Sequence, residues 1–191
     1  MHELPQRHRI TVEHFYRMAE VGLFGEDERV ELIEGEIVDV PPMGHHHAGV
    51  VGYLAKLLNS SVSSLAVVRP QLPLRLGEYS EPLPDIVVAK PRDDQYFRAH
   101  PTANDVCVVV EVSSTTLRFD RNVKVPMYAR HGVAEVWVVD VGDELVHRYR
   151  SPQDGRYAEL TTEPLSTRLS LDALGCDVDL APLAALLASS K

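Results

Sequence analysis

Two acidic residues interrupt apolar runs of the chain. Asp85 comes directly before the run at 86–89, and Glu111 comes directly after the run at 106–110. A carboxylate at the end of a buried strand is costly unless water, a cation or a metal ion compensates it. Two such carboxylates on neighbouring strand ends suit Mg²⁺ or Mn²⁺, whose other positions take water and phosphate oxygens. The pair therefore predicts a metal site suited to phosphodiester hydrolysis, in which the metal lowers the pKa of a bound water.

Lys124 is the candidate for a cation that orients a water or a phosphate at this site. In a regular helix Arg121, Lys124 and Tyr128 share one face, which we expect to point towards Glu111. Two alternatives stay open. Lys124 pairs with Asp120 on a solvated helix, or Glu111 is a strand-end acid paired with an arginine.

Hydrophobic periodicity predicts the elements that position these residues. Thr11 caps a first helix, and Glu34-Gly35 turns a hairpin over 29–40, because glycine supplies the positive φ of a tight turn. Pro126 disfavours helical backbone at Val125, so the helix over 120–131 is expected to be regular only from 125–126. Further predicted elements are a helix over 47–65, strands over 66–69, 72–76, 84–89 and 106–112, a hairpin over 135–150, a strand over 157–160 and a final helix from Pro182.

Strand alternation predicts how the side chains are distributed. Glu111 is expected to share a face with Cys107, Val109 and Ser113. The overall pattern predicts an α/β fold with a central mixed β-sheet, flanked by helices and accompanied by additional β-hairpins.

The composition limits the possible function classes. The chain has 191 residues, 45% hydrophobic and 25% charged, which predicts one globular domain over 1–191. Its net charge of −9 excludes a generic basic coat for nucleic acid. Residues 1–40 contain ten acids and four bases, whereas residues 118–130 contain four bases and one acid. A local basic groove is therefore compatible with the acidic total.

The sequence also bears on the compartment. The first nine residues lack the apolar core of a secretory signal, and the longest apolar stretches, at 106–112 and 181–188, are too short to span a bilayer. We expect a cytoplasmic protein without a membrane segment.

Several short motifs stand in a specific order along the chain. They are Glu31-Leu-Ile-Glu-Gly-Glu36, a proline followed by His47, Pro84-Asp85, Glu111-Val-Ser-Ser114 with Asp120 and Lys124, Tyr128-Ala129, Gly132 and Glu135-Val-Trp-Val-Val-Asp140. Together they resemble the Uma family of bacterial endonucleases, within the PD-(D/E)XK restriction-endonuclease-like superfamily, over about residues 10–185.

The resemblance implies a restriction-endonuclease-like α/β core and a metal-dependent endonuclease that acts on DNA. Asp85 and Glu111 match the metal-binding carboxylates. The backbone carbonyl of Val112 matches a further metal ligand. Glu31 matches an upstream acid that completes the metal shell, although a solvated acidic ribbon is the alternative for its hairpin.

One position departs from the superfamily pattern. The superfamily's lysine is expected two residues after Glu111, where this chain has Ser113. Lys124 resembles a displaced lysine supplied by the following helix. Ser113 itself could hold a water or a ligand, or cap the backbone at the strand end.

His47 keeps three interpretations: a phosphate contact, a proton-transfer group or a helix-start cap. The accessory residues predicted around the site are His47, Ser113, Asp120, Arg121 and Tyr128.

Two function hypotheses follow. The first is an Mg²⁺- or Mn²⁺-dependent endonuclease, favoured by the pair Asp85 and Glu111. The second is a catalytically silent module that binds nucleic acid or a protein, favoured by the displaced lysine and the acidic surface. Two active sites would suit the cutting of both strands of a duplex, so the resemblance also suggests a homodimer.

Overall fold

Helices and strands occur throughout residues 7–189, the part of the chain that the computed structural model describes. The strands are β1 (Val30–Ile33), β2 (Glu36–Asp39), β3 (Val67–Pro70), β4 (Ile86–Ala89), β5 (Val106–Ser113), β6 (Glu135–Asp140), β7 (Leu145–Gln153), β8 (Arg156–Pro164), β9 (Arg168–Leu171) and β10 (Cys176–Asp179). The helices are α1 (Val12–Glu20), α2 (His45–Val62), α3 (Leu117–Phe119), α4 (Val125–Arg130) and α5 (Ala181–Ala188). Residues 1–6, on which the expectation about a signal partly depends, lie outside the described part.

The apolar runs form the middle of a six-stranded sheet in the order β3-β4-β5-β6-β7-β8. Within it β5 and β6 run parallel, and the other neighbours are antiparallel. The predicted α/β fold with a central mixed sheet and additional hairpins is confirmed. Within residues 7–189, no helix combines the length and the apolar character needed to cross a membrane.

Each face of the sheet carries its own hydrophobic core. On one face, residues of α2, α5 and the β9–β10 hairpin pack with Val110 and Trp137. On the other face, residues of α4 and β1 pack with Val109 and Val136. Because both faces are covered, the central strands are apolar at nearly every position, which makes a single acid such as Glu111 conspicuous in the sequence.

The hairpin predicted around Glu34-Gly35 is confirmed as β1–β2, with φ of 53° and 85° at the two turn residues. The strand predicted over 72–76 is wrong. Its N–H groups bond in two directions: Leu74 and Leu76 donate to the loop at 80–82, whereas Arg75 donates to Pro101. The segment therefore lies between two loops and forms no ladder. The hairpin β9–β10 was not predicted.

The helix after β5 contains one wide turn. Residues Asp120–Lys124 are π-helical, and the N–H of Val125 bonds the carbonyl of Asp120, five residues back. Pro126 has no N–H, and its ring would crowd the carbonyl four residues back in a regular helix. The wide turn accommodates the proline, so Val125 keeps helical φ and ψ of −57° and −48°. The prediction that Pro126 disfavours helical backbone at Val125 is wrong, whereas the expected start of the regular helix at 125–126 is confirmed, because α4 begins at Val125.

A register shift in the β4–β5 ladder changes one predicted face. Val88 pairs with Val108, but Ala89 pairs with Val106, so the residue between them, Cys107, has no partner of its own. Cys107 belongs to the core on the α2 side, opposite Val109. The predicted common face of Cys107 and Glu111 is therefore wrong, because the extra residue interrupts the alternation.

A buried ion pair joins the sheet to the β9–β10 hairpin. Arg148 Nε lies 2.6 Å from Glu135 Oε1, and the Trp137 indole N–H donates to the same oxygen over 2.6 Å. Arg148 also donates to the carbonyl of Ser170 in β9. Among the ion pairs of the described residues, Arg148 is the cation that contacts the Glu135 carboxylate.

Replacing Arg148 by alanine leaves a buried carboxylate without its cation, and we expect a loss of about 3–5 kcal/mol in the free energy of unfolding, measured by urea denaturation. Arg150→Ala on the same strand is the matched control. Arg150 is partly exposed and pairs with Glu159 and Asp172, so its loss should cost less than about 1 kcal/mol. Equal losses in the two variants would contradict the structural role of Arg148.

Candidate active site

The antiparallel register of β4 and β5 brings the two predicted carboxylates together. Ile86 pairs with Val110, so Asp85, which precedes β4, stands across from Glu111 in β5. The N–H of Asp85 lies 3.4 Å from Glu111 Oε2. Both side chains line the same cavity. A short antiparallel ladder thus converts a separation of 26 residues into a shared site.

Asp85 is held from two sides. Its Oδ2 accepts the N–H of Val112 over 2.8 Å, and its Oδ1 lies 2.9 Å from His47 Nε2. The hydrogen bond to Asp85 is the main cause of a raised pKa of His47, against an opposing effect of burial. His47 is the third residue of α2, whose N-cap is Gly44, so the interpretation of His47 as a helix cap is wrong.

Glu111 is almost completely buried, with 2% of its surface exposed. The Tyr128 hydroxyl donates to Oε1 over 2.6 Å, and Lys124 Nζ lies 3.3 Å from the same oxygen. Burial raises the pKa of Glu111 to about 8. Lys124 opposes this shift, and the negative charges of Asp120 and Asp85 add to it. The predicted alternative of an arginine partner is wrong, because the cation beside Glu111 is a lysine.

Lys124 lies between two carboxylates. Its Nζ is 3.3 Å from Glu111 Oε1 and 3.4 Å from Glu31 Oε2, and its side chain is only 9% exposed. Burial alone lowers the pKa of Lys124, but the attraction of Glu111 and Glu31 outweighs it and raises the pKa above its usual value. Lys124 is therefore a buried ammonium, and the alternative of a solvated pair with Asp120 is wrong.

Glu31 reaches the site from the β1–β2 hairpin. It is 3% exposed, and its Oε2 accepts the N–H of Leu83 over 3.0 Å as well as contacting Lys124. The alternative of a solvated acidic ribbon is wrong for Glu31, although Glu36 in the same hairpin is exposed. The two acids share a face of the hairpin, but Glu31 lies in the buried strand β1, whereas Glu36 is the exposed first residue of β2, next to the turn.

Ser113 occupies the strand position where the superfamily pattern has a lysine, and it binds an acid instead. Its hydroxyl donates to Asp120 Oδ2 over 2.6 Å, and the Thr116 hydroxyl donates to the same oxygen over 2.7 Å. Burial raises the pKa of Asp120, and these two hydroxyls partly offset the shift. Thr116 was not predicted, although a threonine directly before a helix is a recognisable N-cap signal.

The wide turn decides which helix face meets the sheet. Asp120, Lys124 and Tyr128 are buried, whereas Arg121 is exposed and does not line the cavity. The predicted common face of Arg121, Lys124 and Tyr128 is therefore wrong for Arg121. A π turn takes more residues per rotation than an α turn, so Arg121, three residues before Lys124, turns away from the face of Lys124, whereas Asp120, four residues before it, stays on that face.

The site lies in a cavity of about 470 Å³. The side chains at its base are Glu31, His47, Asp85, Glu111, Asp120 and Lys124. Arg29, Arg118 and Phe119 line it as well, and both arginines are exposed. Arg118 belongs to the basic segment found in the sequence, whereas Arg29 and Phe119 were not predicted.

The donor set at the base of the cavity suits a hard cation. The acidic oxygens belong to four carboxyl groups, those of Glu31, Asp85, Glu111 and Asp120, and one ammonium lies among them. Within residues 7–189, no group of three or more His, Cys, Asp or Glu side chains is arranged to hold a metal ion. Mg²⁺ commonly uses only one or two protein carboxylates with water, so the pair Asp85 and Glu111 fits this ion.

A family model, Uma2, described as "Putative restriction endonuclease", matches residues 12–183. The chain belongs to the Uma2 family. The resemblance predicted from the motifs is thereby confirmed, and membership of the Uma2 family supports a nuclease-like role.

A solved structure has the same fold. It is described as a putative nuclease belonging to DUF820 from Anabaena variabilis ATCC 29413, and it is 21% identical to this chain with a TM-score of 0.69. The alignment covers 93% of this chain and 99% of that one. No curated protein matches the chain.

The raised pKa of Glu111 predicts a pH-dependent stability in the absence of metal. The neutral carboxyl stabilises the fold fully below its ordinary pKa of 4.5, and this stability is lost as the pH rises to about 8. In EDTA, the wild type should therefore lose up to about 1.4 kcal/mol per pH unit relative to Glu111→Gln. Urea unfolding between pH 5 and 8 measures this slope.

Glu159→Gln is the matched control, because Glu159 is exposed on β8. This variant should keep the slope of the wild type. Parallel pH curves for the wild type and Glu111→Gln would show that Glu111 does not titrate in this range.

Proposed function

We propose that this Uma2-family chain is a Mg²⁺- or Mn²⁺-dependent endonuclease that hydrolyses phosphodiester bonds of DNA. One observation carries the proposal: Asp85 and Glu111 stand opposite each other at the base of one cavity, with Lys124 Nζ 3.3 Å from Glu111. Two carboxylates and a cation at one point are the groups that metal-assisted phosphoryl chemistry requires.

The metal would be held by Asp85, Glu111 and the backbone carbonyl of Val112. The N–H of Val112 points to Asp85, and the N–H and C=O of one strand residue point to the same side, which supports the carbonyl as a ligand. When bound, the ion supplies a Lewis acid for the phosphate oxygens and lowers the pKa of a water. A cation here also offsets the burial that raises the pKa of Glu111.

The remaining residues position this group. Tyr128 holds Glu111 through its hydroxyl, and His47 and the N–H of Val112 hold Asp85. The raised pKa of Lys124 keeps its amine protonated at neutral pH. Lys124 can then donate a hydrogen bond to a phosphate oxygen next to the carboxylates, where negative charge increases during hydrolysis.

A second candidate, a catalytically silent binding module, is favoured by one observation. Lys124 contacts both Glu31 and Glu111, and His47 contacts Asp85. The carboxylates are thus already compensated by cations of the chain itself. A binding module that uses these ion pairs only for its stability would have the same contacts. Cleavage and metal binding separate the two candidates.

The cleavage assay uses plasmid and single-stranded DNA with Mg²⁺, Mn²⁺ or EDTA. We expect cleavage by the wild type with metal, none in EDTA and none with Asp85→Ala, because each change removes the metal. Lys124→Ala should reduce the rate at least about 100-fold, in line with the loss of one charge-stabilising group.

Asp172→Asn is the control, since Asp172 is exposed between β9 and β10, remote from the cavity lining. It should cut like the wild type. Cleavage that persists in EDTA or in Asp85→Ala would show that the assigned site is wrong.

Calorimetric titration with Mn²⁺ tests the metal site without any substrate. We expect one site in the wild type, weakened by Asp85→Asn and by Glu111→Gln, because each variant removes one charged ligand. Binding should also release protons at pH 7, since the raised pKa of Glu111 leaves it partly protonated without metal. Heats that are identical in the wild type and both variants would favour the silent module.

A further inference from the structure

The cavity combines an acidic base with an apolar wall. The wall consists of apolar side chains from β2, the segment after β2 and α3, namely Val38, Val40, Pro41, Pro42, Met43 and Phe119. A groove that contacts only the phosphate backbone of a nucleic acid requires charged and polar groups, not an apolar wall. Nucleobases, in contrast, stack on aromatic and apolar surfaces.

The acids lie deep in the cavity. Glu111 is 2% exposed, and the side chain of Asp85 is 16% exposed. In an intact duplex the bases are paired and stacked inside the helix, so they cannot lie against the apolar wall. An unpaired base of a single strand can stack on such a surface. A volume of about 470 Å³ is in the range that holds one small organic ligand.

The charge distribution agrees with a short binding site. Tight duplex binding relies on roughly 6–10 phosphate contacts, whereas the chain has a net charge of −9. Among the described residues that line the cavity, the exposed charged side chains are Arg29, Arg118 and Asp39, so the cations exceed the acid by one. A further cation, Lys124, is buried against Glu31 and Glu111. Two exposed arginines suit one or two phosphates beside a single base.

We propose that the cavity binds one nucleotide of single-stranded DNA, with its base against the wall formed by Met43 and Phe119 and its phosphates between Arg118 and the acids. This inference rests on the nuclease function proposed above and assigns its substrate class: single strands, flaps and frayed ends are bound in preference to intact duplex.

Fluorescence anisotropy with Ca²⁺ in place of Mg²⁺ tests binding, because Ca²⁺ also takes carboxylate ligands and compensates the acids beside the phosphates. The probes are a labelled 15-nucleotide single strand, the same strand in a blunt duplex, and a duplex with a single-stranded flap. The wild type should bind the single strand and the flap at least about tenfold more tightly than the blunt duplex. Phe119→Ala should weaken single-strand binding by about tenfold, through the loss of stacking, and leave duplex binding unchanged.

The matched control for Phe119 is Phe97→Ala. Phe97 is 91% exposed and lies in the loop after the far end of β4, so this variant should bind like the wild type. Because Phe119 is partly packed against the core, Arg118→Ala provides a variant at an exposed position. It should weaken single-strand binding and lower the salt slope by about 1, as expected for one lost phosphate contact. Arg156→Ala, also at an exposed position, should do neither.

The outcomes distinguish this inference from the proposed function. Equal binding of single strand and blunt duplex, or unchanged binding by both Phe119→Ala and Arg118→Ala, would overturn the inference. Preferential cleavage of blunt duplex with Mn²⁺ would also overturn it while supporting a nuclease. Tight single-strand binding without any metal-dependent cleavage would support the cavity as a nucleotide site and overturn the proposed hydrolysis.

Discussion

The arrangement of this molecule depends on compensating negative charge inside a protein. Carboxylates from a hairpin, the start of a strand, a central strand and a helix converge at one end of the sheet, and each alone would be costly to bury. The donors that compensate them are Leu83 N–H, Val112 N–H, the Tyr128 hydroxyl, the Ser113 and Thr116 hydroxyls, and the Lys124 ammonium. Each acid has at least one partner on an element other than its own, so the site couples the hairpin, the sheet and the helices to one another.

Lys124 is central to this balance because it arrives from outside the strand. In the superfamily pattern the lysine stands on the strand itself, two residues after the acid. Here that position belongs to Ser113, which binds Asp120, and the ammonium comes from the helix behind the sheet. The π turn at Asp120–Lys124 accommodates Pro126 within the helix and keeps Asp120 and Lys124 on one face. The strand thus lacks the lysine of the superfamily pattern, and the helix supplies the positive charge instead.

The acidic composition of the chain is also reflected in the lining of the cavity. Some of the surplus carboxylates face the cavity, where a divalent cation would neutralise them, and exposed arginines line the same cavity. The net charge of −9 is therefore compatible with a nucleic-acid substrate bound over a short length. Contact with a long duplex would require a much larger basic surface.

The sequence by itself determined most of the sheet, the β1–β2 turn and the two acids at strand ends. These features depend on local rules: alternation with period two, glycine at positive φ, and the cost of an isolated charge in an apolar run. Only the tertiary structure decided that Glu31 meets Lys124, that His47 turns to Asp85, and that residues 72–76 form no strand. Those outcomes depend on partners far along the chain, 52 residues apart for Glu31 and Leu83, and on two single-residue shifts, the bulge at Cys107 and the π turn. Local periodicity cannot predict such shifts, because each one is stabilised by packing against elements that the local sequence does not contain.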